Sequence, residues 1–159
     1  MNDHHLHIPE RDIRRNGPGF YPRVFLRQRR TERALEKRGV RFRRTEPQEV
    51  EAAYSAMSAD EFDAVNGRQN WGNWRTVPRC MTGLVPDRPL VIVDLGCGSG
   101  GSTRILAFYA PHGSRLLAYE LARPLINVAR DRLYLHRGGQ PLDVEFVCQG
   151  ITETLRGPD

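Results

Sequence analysis

A carboxylate followed by closely spaced glycines is the feature of this chain best suited to chemistry. Asp94 stands between an apolar run and a loop with glycine at positions 96, 98, 100 and 101. Glycine adopts positive φ angles easily and has no Cβ, so a ligand can approach the backbone of such a loop closely. A second carboxylate, Glu120, closes the next apolar run along the chain. We therefore expect a ligand site at this loop and these acids.

The elements that must position these residues alternate between strand and helix. They are predicted, in order, as a strand over 90–93, a helix over 103–110, a strand over 116–119, a helix from Pro124 to a stop at Gly138-Gly139, and a strand over 144–148. Leu125, Ala129 and Leu133 would form the apolar stripe of the second helix. The alternation is typical of an α/β fold with a parallel sheet and right-handed crossovers. The unbroken apolar run at 90–93 predicts a strand buried on both faces.

Two classes of ligand compete for the glycine loop. Gly96, Gly98 and Gly101 match G-x-G-x-x-G, the fingerprint of dinucleotide binding. With Gly100 in place of Gly101, and Asp94 in front, the loop also matches D-x-G-x-G-x-G. A dinucleotide lays its pyrophosphate on the helix N-terminus, where the Asp94 carboxylate would repel it. S-adenosylmethionine carries an ammonium and a sulfonium and no phosphate, so Asp94 favours this second ligand.

The chain resembles the class I S-adenosylmethionine-dependent methyltransferases at residues 91–100, which read V-I-V-D-L-G-C-G-S-G. The resemblance implies that residues 85–159 form part of a methyltransferase domain with a Rossmann-like sheet. The family usually has seven strands, and this chain supplies the first three. The missing neighbour would leave the edge of the first strand unpaired and apolar surface exposed. The implied cofactor is S-adenosyl-L-methionine, and the methyl acceptor is expected to be a small molecule.

The resemblance also implies a set of cofactor-binding residues. Glu120 would accept hydrogen bonds from both ribose hydroxyls. Gln149 stands where the family often has an acid that accepts from the adenine amino group, and its side-chain carbonyl could replace that acid. Trp71 or Arg75 would close over the methionine end of the cofactor; Trp71 and Trp74 could equally be core anchors. The expected set is Asp94, Gly96, Cys97, Gly98, Gly100, Ser102, Glu120, Leu121, Gln149, Gly150, Trp71 and Arg75.

No residue of the chain is identifiable as a catalytic base, and methyl transfer can depend largely on positioning the nucleophile. Cys97 is interpreted as a small residue that fits the loop rather than as a nucleophile. No metal site is expected, because the three cysteines have no paired spacing.

Positive charge is concentrated in the first quarter of the chain. Residues 1–44 have a net charge of +8, whereas residues 45–159 have −3. We interpret residues 1–44 as a basic arm, partly disordered, which could bind nucleic acid through residues 11–44. Gly17, Pro18 and Pro22 are expected to leave no room for a helix before Val24, so a helix is predicted only from Val24 to Arg38.

Residues 45–84 are predicted to form a helical extension or a lid over the cofactor. The spacings Thr45 to Gln48 and Ser58 to Glu61 are those of capping boxes, which open helices. Asn66-Gly67 is expected to end the second of these helices.

Composition narrows the class of protein. Hydrophobic residues make up 39% of the chain, as in a soluble globular protein, and no apolar run approaches the ~18 residues of a membrane span. The first twenty residues have no signal-peptide core, so a cytoplasmic location is expected. Two alternatives to a methyltransferase stay open: a fragment of an NAD-binding oxidoreductase, and a non-catalytic nucleic-acid-binding protein that uses the arginine-rich arm. The sequence does not indicate the oligomeric state.

Overall fold

A computed structural model of the chain describes residues 17–40, 47–81, 85–136 and 139–151. The first part of the predicted basic arm, the capping box at Thr45 and the helix stop at Gly138 lie outside these ranges. The chain forms two compact units, which divide between Arg75 and Thr76. None of the helices in the described ranges is long and apolar enough to cross a membrane.

The first unit is helical. It contains α1 (Gly17–Lys37), α2 (Pro47–Ser55), α3 (Ala59–Val65) and the greater part of α4 (Gly67–Met81). Leu35, Val40 and Met57 are buried at its centre, where the partly buried Tyr54 and Phe62 pack against them. The predicted capping box at Ser58 is confirmed, because Ser58 Oγ accepts from the Glu61 N–H and the Glu61 side chain accepts from the Ser58 N–H.

Helix α1 begins seven residues before the predicted start at Val24, so the expectation of no helix in that region was wrong. Pro18 lies in the first turn, where an amide N–H has no intrahelical partner to lose. Pro22 lies inside the helix, close to its N-terminal end, and removes only one backbone hydrogen bond there. The prolines therefore weaken this end of α1 without preventing it.

Asn66-Gly67 ends α3, as predicted, but α4 starts at Gly67 immediately afterwards. A Cβ on Gly67 would lie 2.9 Å from Val24 Cγ1. Glycine at this position therefore allows the start of α4 to lie close against α1.

The second unit contains a three-stranded parallel sheet in the order β1 (Val91–Leu95), β2 (Arg115–Glu120), β3 (Val144–Cys148). Helix α5 (Gly101–Tyr109) joins β1 to β2, and helix α6 (Arg123–Arg130) joins β2 to β3. The predicted α/β class and the alternation of strand and helix are confirmed. The core fills one face of the sheet, where Leu116 and Ala118 of β2 are buried with the inward residues of the two helices, Thr103, Ile105, Ala107, Leu125, Ile126 and Ala129.

Two expectations for this unit were wrong. The apolar run at 90–93 wrongly predicted a strand buried on both faces, because Val91, Val93 and Leu95 of β1 are 66%, 48% and 39% exposed. The exposed apolar surface and the unpaired edge of the first strand agree with the other expectation for this strand. Helix α6 ends at Arg130, well before Gly138, and Leu133 is exposed instead of extending the apolar stripe. The chain turns after Asp131 because Tyr134, one residue beyond Leu133, is the side chain that enters the core.

Candidate functional site

The parallel register brings the carboxyl ends of the three strands to one edge of the sheet. Leu95 pairs with Tyr119, and Tyr119 pairs with Val147. The residues that follow these positions are the glycine loop after β1, Glu120 at the end of β2, and Cys148-Gln149 at the end of β3. Open α/β sheets bind ligands at this edge.

The loop between β1 and α5 is held by backbone hydrogen bonds, two of which go to β2. The N–H groups of Gly96 and Cys97 both donate to the Tyr119 carbonyl at 2.9 Å, and the Gly100 N–H donates to the Cys97 carbonyl at 2.9 Å. Gly96, Gly98 and Gly100 have φ angles of 77°, 55° and 89°. This region is costly for residues with a Cβ, so all three glycines of the D-x-G-x-G-x-G pattern are needed for the conformation.

Glu120 is buried beneath this loop. Its Oε2 accepts from the Gly98 N–H at 2.9 Å, and its Oε1 accepts from the Ala122 N–H at 2.8 Å. A carboxylate oxygen has two lone pairs, so each oxygen keeps one further acceptor position. The side chain thus ties the glycine loop to the end of β2 and is still able to accept hydrogen bonds from a ligand.

Asp94 is buried on the face of β1 that the helices cover. Its Oδ2 accepts from Ser102 Oγ at 2.8 Å and from Thr103 Oγ1 at 2.7 Å. Burial raises the pKa of the Asp94 carboxyl, and the hydrogen bonds from Thr103 and Ser102 act in the opposite direction. The other oxygen of Asp94, Oδ1, accepts no hydrogen bond within the described ranges. Every fully buried side-chain oxygen in those ranges has a hydrogen-bond partner. Oδ1 is therefore not fully buried, and solvent can reach it.

Cys97 is buried in the loop between the two acids. Its thiol donates weakly to the Gly98 carbonyl, with Sγ 3.7 Å from the oxygen. Burial raises the pKa of this thiol to about 12, and the charges of Asp94 and Glu120 add to the shift. At neutral pH the sulfur is therefore protonated and is a poor nucleophile.

Tyr134 is the residue of this region that the sequence did not suggest. It is buried, and its hydroxyl donates to the Ala129 carbonyl at 2.7 Å. A Cβ built on Gly100 would lie 2.1 Å from the Tyr134 hydroxyl oxygen, so this oxygen occupies the space that a side chain at position 100 would need. The sequence placed Tyr134 on a continuing helix and gave no signal that it reaches the loop.

The end of β3 lies beside the loop and the end of β2. The Gln149 N–H donates to the Glu120 carbonyl at 3.1 Å, and the Cys148 thiol lies 3.5 Å from the Leu121 carbonyl oxygen. Leu121, Gln149 and Gly150 are half-buried. Ile151 is 45% exposed, and its Cδ1 would lie 3.8 Å from a Cβ on Gly96, so it adds an apolar side chain to the opening of the site.

The remaining two candidates lie on α4 in the first unit. Trp71 is half-buried, and Arg75 is the last residue of that unit. The contacts described above are made within the second unit, to which the other ten candidates belong.

Comparison with known proteins does not assign a function to this site. No known protein family matches the chain, and a search of curated proteins finds no relative.

Proposed function

We propose that the second unit binds S-adenosyl-L-methionine and that the protein is a methyltransferase acting on a small-molecule acceptor. The observation that carries the proposal is the pair of buried carboxylates, Asp94 and Glu120, on either side of a loop with three positive-φ glycines. Glu120 accepts a hydrogen bond from the Gly98 N–H, which is the kind of donor that a phosphate-binding loop directs at its ligand.

This arrangement disfavours a ligand with phosphates. Two negative charges already lie at the loop, and a pyrophosphate would bring more into a poorly hydrated space where repulsion is weakly screened. The sulfonium and ammonium of S-adenosylmethionine reverse the sign of that interaction. An NAD-binding oxidoreductase is therefore the weaker interpretation of the same glycines.

The residues present fit this cofactor. The free acceptor positions on the two Glu120 oxygens suit the two ribose hydroxyls, and Asp94 Oδ1 suits a cationic group or a water bound to it. Ile151 offers an apolar contact to the adenine ring, and the Gln149 side chain an acceptor for its amino group. When bound, the cofactor supplies an activated methyl group for in-line displacement. The protein's part is to fix that group and to hold the acceptor in line with it.

Titration calorimetry with S-adenosylhomocysteine tests the proposal on the 159-residue chain. The wild-type protein is expected to bind, and Asp94→Asn to bind about tenfold more weakly or worse, since a charge-assisted contact is lost. Glu145→Gln removes the same charge from the exposed side of β3 and should leave the affinity unchanged. Tighter binding of NADH than of S-adenosylhomocysteine, or equal affinities for wild type and Asp94→Asn, would contradict the proposal.

A second function, binding of nucleic acid, is favoured by α1. Arg23, Arg27, Arg30 and Lys37 follow helical spacing and are all exposed, which gives a basic stripe about 21 Å long. Glu32 and Glu36 lie on the other side of the helix. A stripe of one sign suits the phosphates of a polyanion.

Binding of a fluorescent single-stranded RNA, measured over a range of salt concentrations, tests this second function. The affinity should fall steeply with salt, and Arg27→Gln with Arg30→Gln should reduce the slope of log affinity against log salt by about 1.4, since each phosphate contact to a single strand contributes about 0.7. Asp94→Asn should leave RNA binding unchanged. A slope that the arginine substitutions do not alter would rule out the stripe as the binding surface.

A further inference from the structure

A cleft that the proposed function does not use lies beside β3. It has a volume of about 230 Å³, which is the share of about eight water molecules in the liquid. One side of the cleft is formed by the end of α6 and the turn after it, residues 130–134, and the other by residues 141–146, which lead into β3. None of the expected cofactor-binding residues is among those that line the cleft.

Most of the walls of this cleft are apolar. They are formed by Leu133, Tyr134, Pro141, Leu142, Val144 and Phe146. The rings of Tyr134 and Phe146 pack against each other, with centroids 5.5 Å apart. The Tyr134 hydroxyl already donates to the Ala129 carbonyl, so this residue offers the cleft its ring. Such walls suit a ligand with an aliphatic or aromatic body.

The charged groups of the cleft are all positive. Arg130 and Arg132 line it, and no acidic residue in the described ranges does. The Arg130 guanidinium donates to the Phe146 carbonyl at 3.0 Å, which holds its charge at the cleft and uses one of its five N–H donors. Glu145 of β3 pairs instead with Arg115. Two guanidiniums suit a planar anionic group such as a carboxylate, which arginine can bind through two parallel hydrogen bonds.

We propose that this cleft binds a small organic anion with an apolar body, such as a medium-chain carboxylate. The carboxylate lies against Arg130 and Arg132, and the hydrocarbon lies along the apolar walls. An inorganic anion would leave these walls in contact with water, and a neutral apolar molecule would bury guanidinium groups without pairing them. The volume lies just below the ~300–1,000 Å³ typical of small-molecule sites, so the ligand is expected to be small.

Titration of the full chain with octanoate, followed by amide NMR, tests this proposal, which does not depend on the proposed function. Saturable shifts are expected in the backbone amides of residues 142–146. Acetate lacks the apolar body and 1-octanol lacks the charge, so each should bind about tenfold more weakly than octanoate or worse. Acetate binding as tightly as octanoate would mean an adventitious ion only, and equal binding of 1-octanol would mean a non-specific apolar surface. Either result would overturn the proposal.

Matched variants locate the site on the protein. Arg132→Gln should weaken octanoate binding about tenfold, because a charge-assisted contact is lost. Arg123→Gln removes the same charge from an exposed position of α6 that does not line the cleft, and it should leave the affinity unchanged. Arg130→Gln repeats the test with the other guanidinium, in case Arg132→Gln does not fold.

A second pair of variants adds a negative charge. Leu133 lines the cleft and is 46% exposed, so Leu133→Glu should fold and should abolish saturable binding by repelling the carboxylate. Val91→Glu makes the same change at an exposed apolar residue of β1 and should bind octanoate as the wild type does. Thermal unfolding checks that the variants are folded. The absence of saturable shifts, shifts confined to β1, or equal effects of a cleft variant and its control would overturn the proposal.

Discussion

The glycine loop and the outer edge of β1 belong to one short segment of chain, yet they differ in how their polar groups are satisfied. In the loop, backbone carbonyls and Glu120 accept the N–H groups of Gly96, Cys97, Gly98 and Gly100. Along the edge, the outward groups of β1 have no partner within the described ranges. The loop therefore keeps its shape without a ligand, whereas the edge of β1 still has backbone groups that a further strand could pair with.

Gly100→Ala is the substitution expected to damage the loop most. Alanine at a φ of 89° is strained by about 1–2 kcal/mol, and its Cβ would overlap the Tyr134 hydroxyl, which adds about 1–3 kcal/mol. The free energy of unfolding should thus fall by about 2–5 kcal/mol. Urea denaturation of the variant and the wild type measures the difference.

Gly96→Ala is the matched control, because Gly96 has a similar φ of 77° but the nearest atom to its Cβ would be 3.8 Å away. It should show the strain alone. Tyr134→Phe removes the clashing oxygen, so adding it should recover part of the loss in Gly100→Ala and none of the loss in Gly96→Ala. Equal coupling of Tyr134 to both glycines would mean that the hydroxyl does not define the loop.

Asp94→Asn should separate the stability of the loop from its affinity for a cation. Because burial raises the pKa of Asp94 in the folded state, the wild-type protein binds this proton more tightly when folded, and its stability should rise as the pH falls through that pKa. Asparagine cannot titrate, and its carbonyl oxygen still accepts from Ser102 and Thr103. At neutral pH the variant should therefore be at least as stable as the wild type.

Urea denaturation of both proteins, from neutral pH down to about pH 4, checks the sign of this effect. The difference in stability between variant and wild type should shrink as the pH falls. An Asp94→Asn variant that is less stable than the wild type at neutral pH would contradict this expectation. It would mean that the loop needs the negative charge of Asp94, and that the hydrogen bonds from Ser102 and Thr103 to an uncharged side chain are not enough.

Local sequence patterns were enough to predict the elements around the site. A strand, a glycine-rich turn and a helix are specified within about a dozen residues by apolar runs and by glycine. The approach of Glu120 to the loop follows from the same patterns, because parallel strands end at one edge. The elements were predictable because short-range chemistry determines them, and the approach of Glu120 was predictable because parallel pairing brings the strand ends together.

The position of Tyr134 depends on long-range packing, which those patterns do not contain. The exposure of β1 was expected only from the resemblance to a larger sheet, and the apolar run by itself predicted the opposite. An apolar run has the same sequence pattern in a central strand and in an edge strand, because the pattern does not specify which strands lie beside it. The stripe of Leu125, Ala129 and Leu133 likewise suggested a longer α6, whereas packing against Gly100 favours a turn that buries Tyr134.

The outer edge of β3 can be compared with the outer edge of β1, and a substitution there should have the smallest effect on stability. The Gln149 N–H donates to the Glu120 carbonyl, so the backbone of Phe146 points outward, away from β2. There the Phe146 carbonyl accepts from the Arg130 guanidinium at 3.0 Å. Arg130→Ala should lower the free energy of unfolding by only about 1 kcal/mol, because the bond is exposed and water can replace it.

Arg123→Ala, at the exposed first position of α6, is the control for the loss of one arginine. It should cost nothing, since a positive charge at a helix N-terminus is not stabilising. Gel filtration of Arg130→Ala should show no change in oligomeric state, because the charged Glu145 and its partner Arg115 remain on the open face beside this edge. Association through β3 in the absence of Arg130 would mean that one guanidinium is what distinguishes the two edges, and that apolar side chains are not required for pairing.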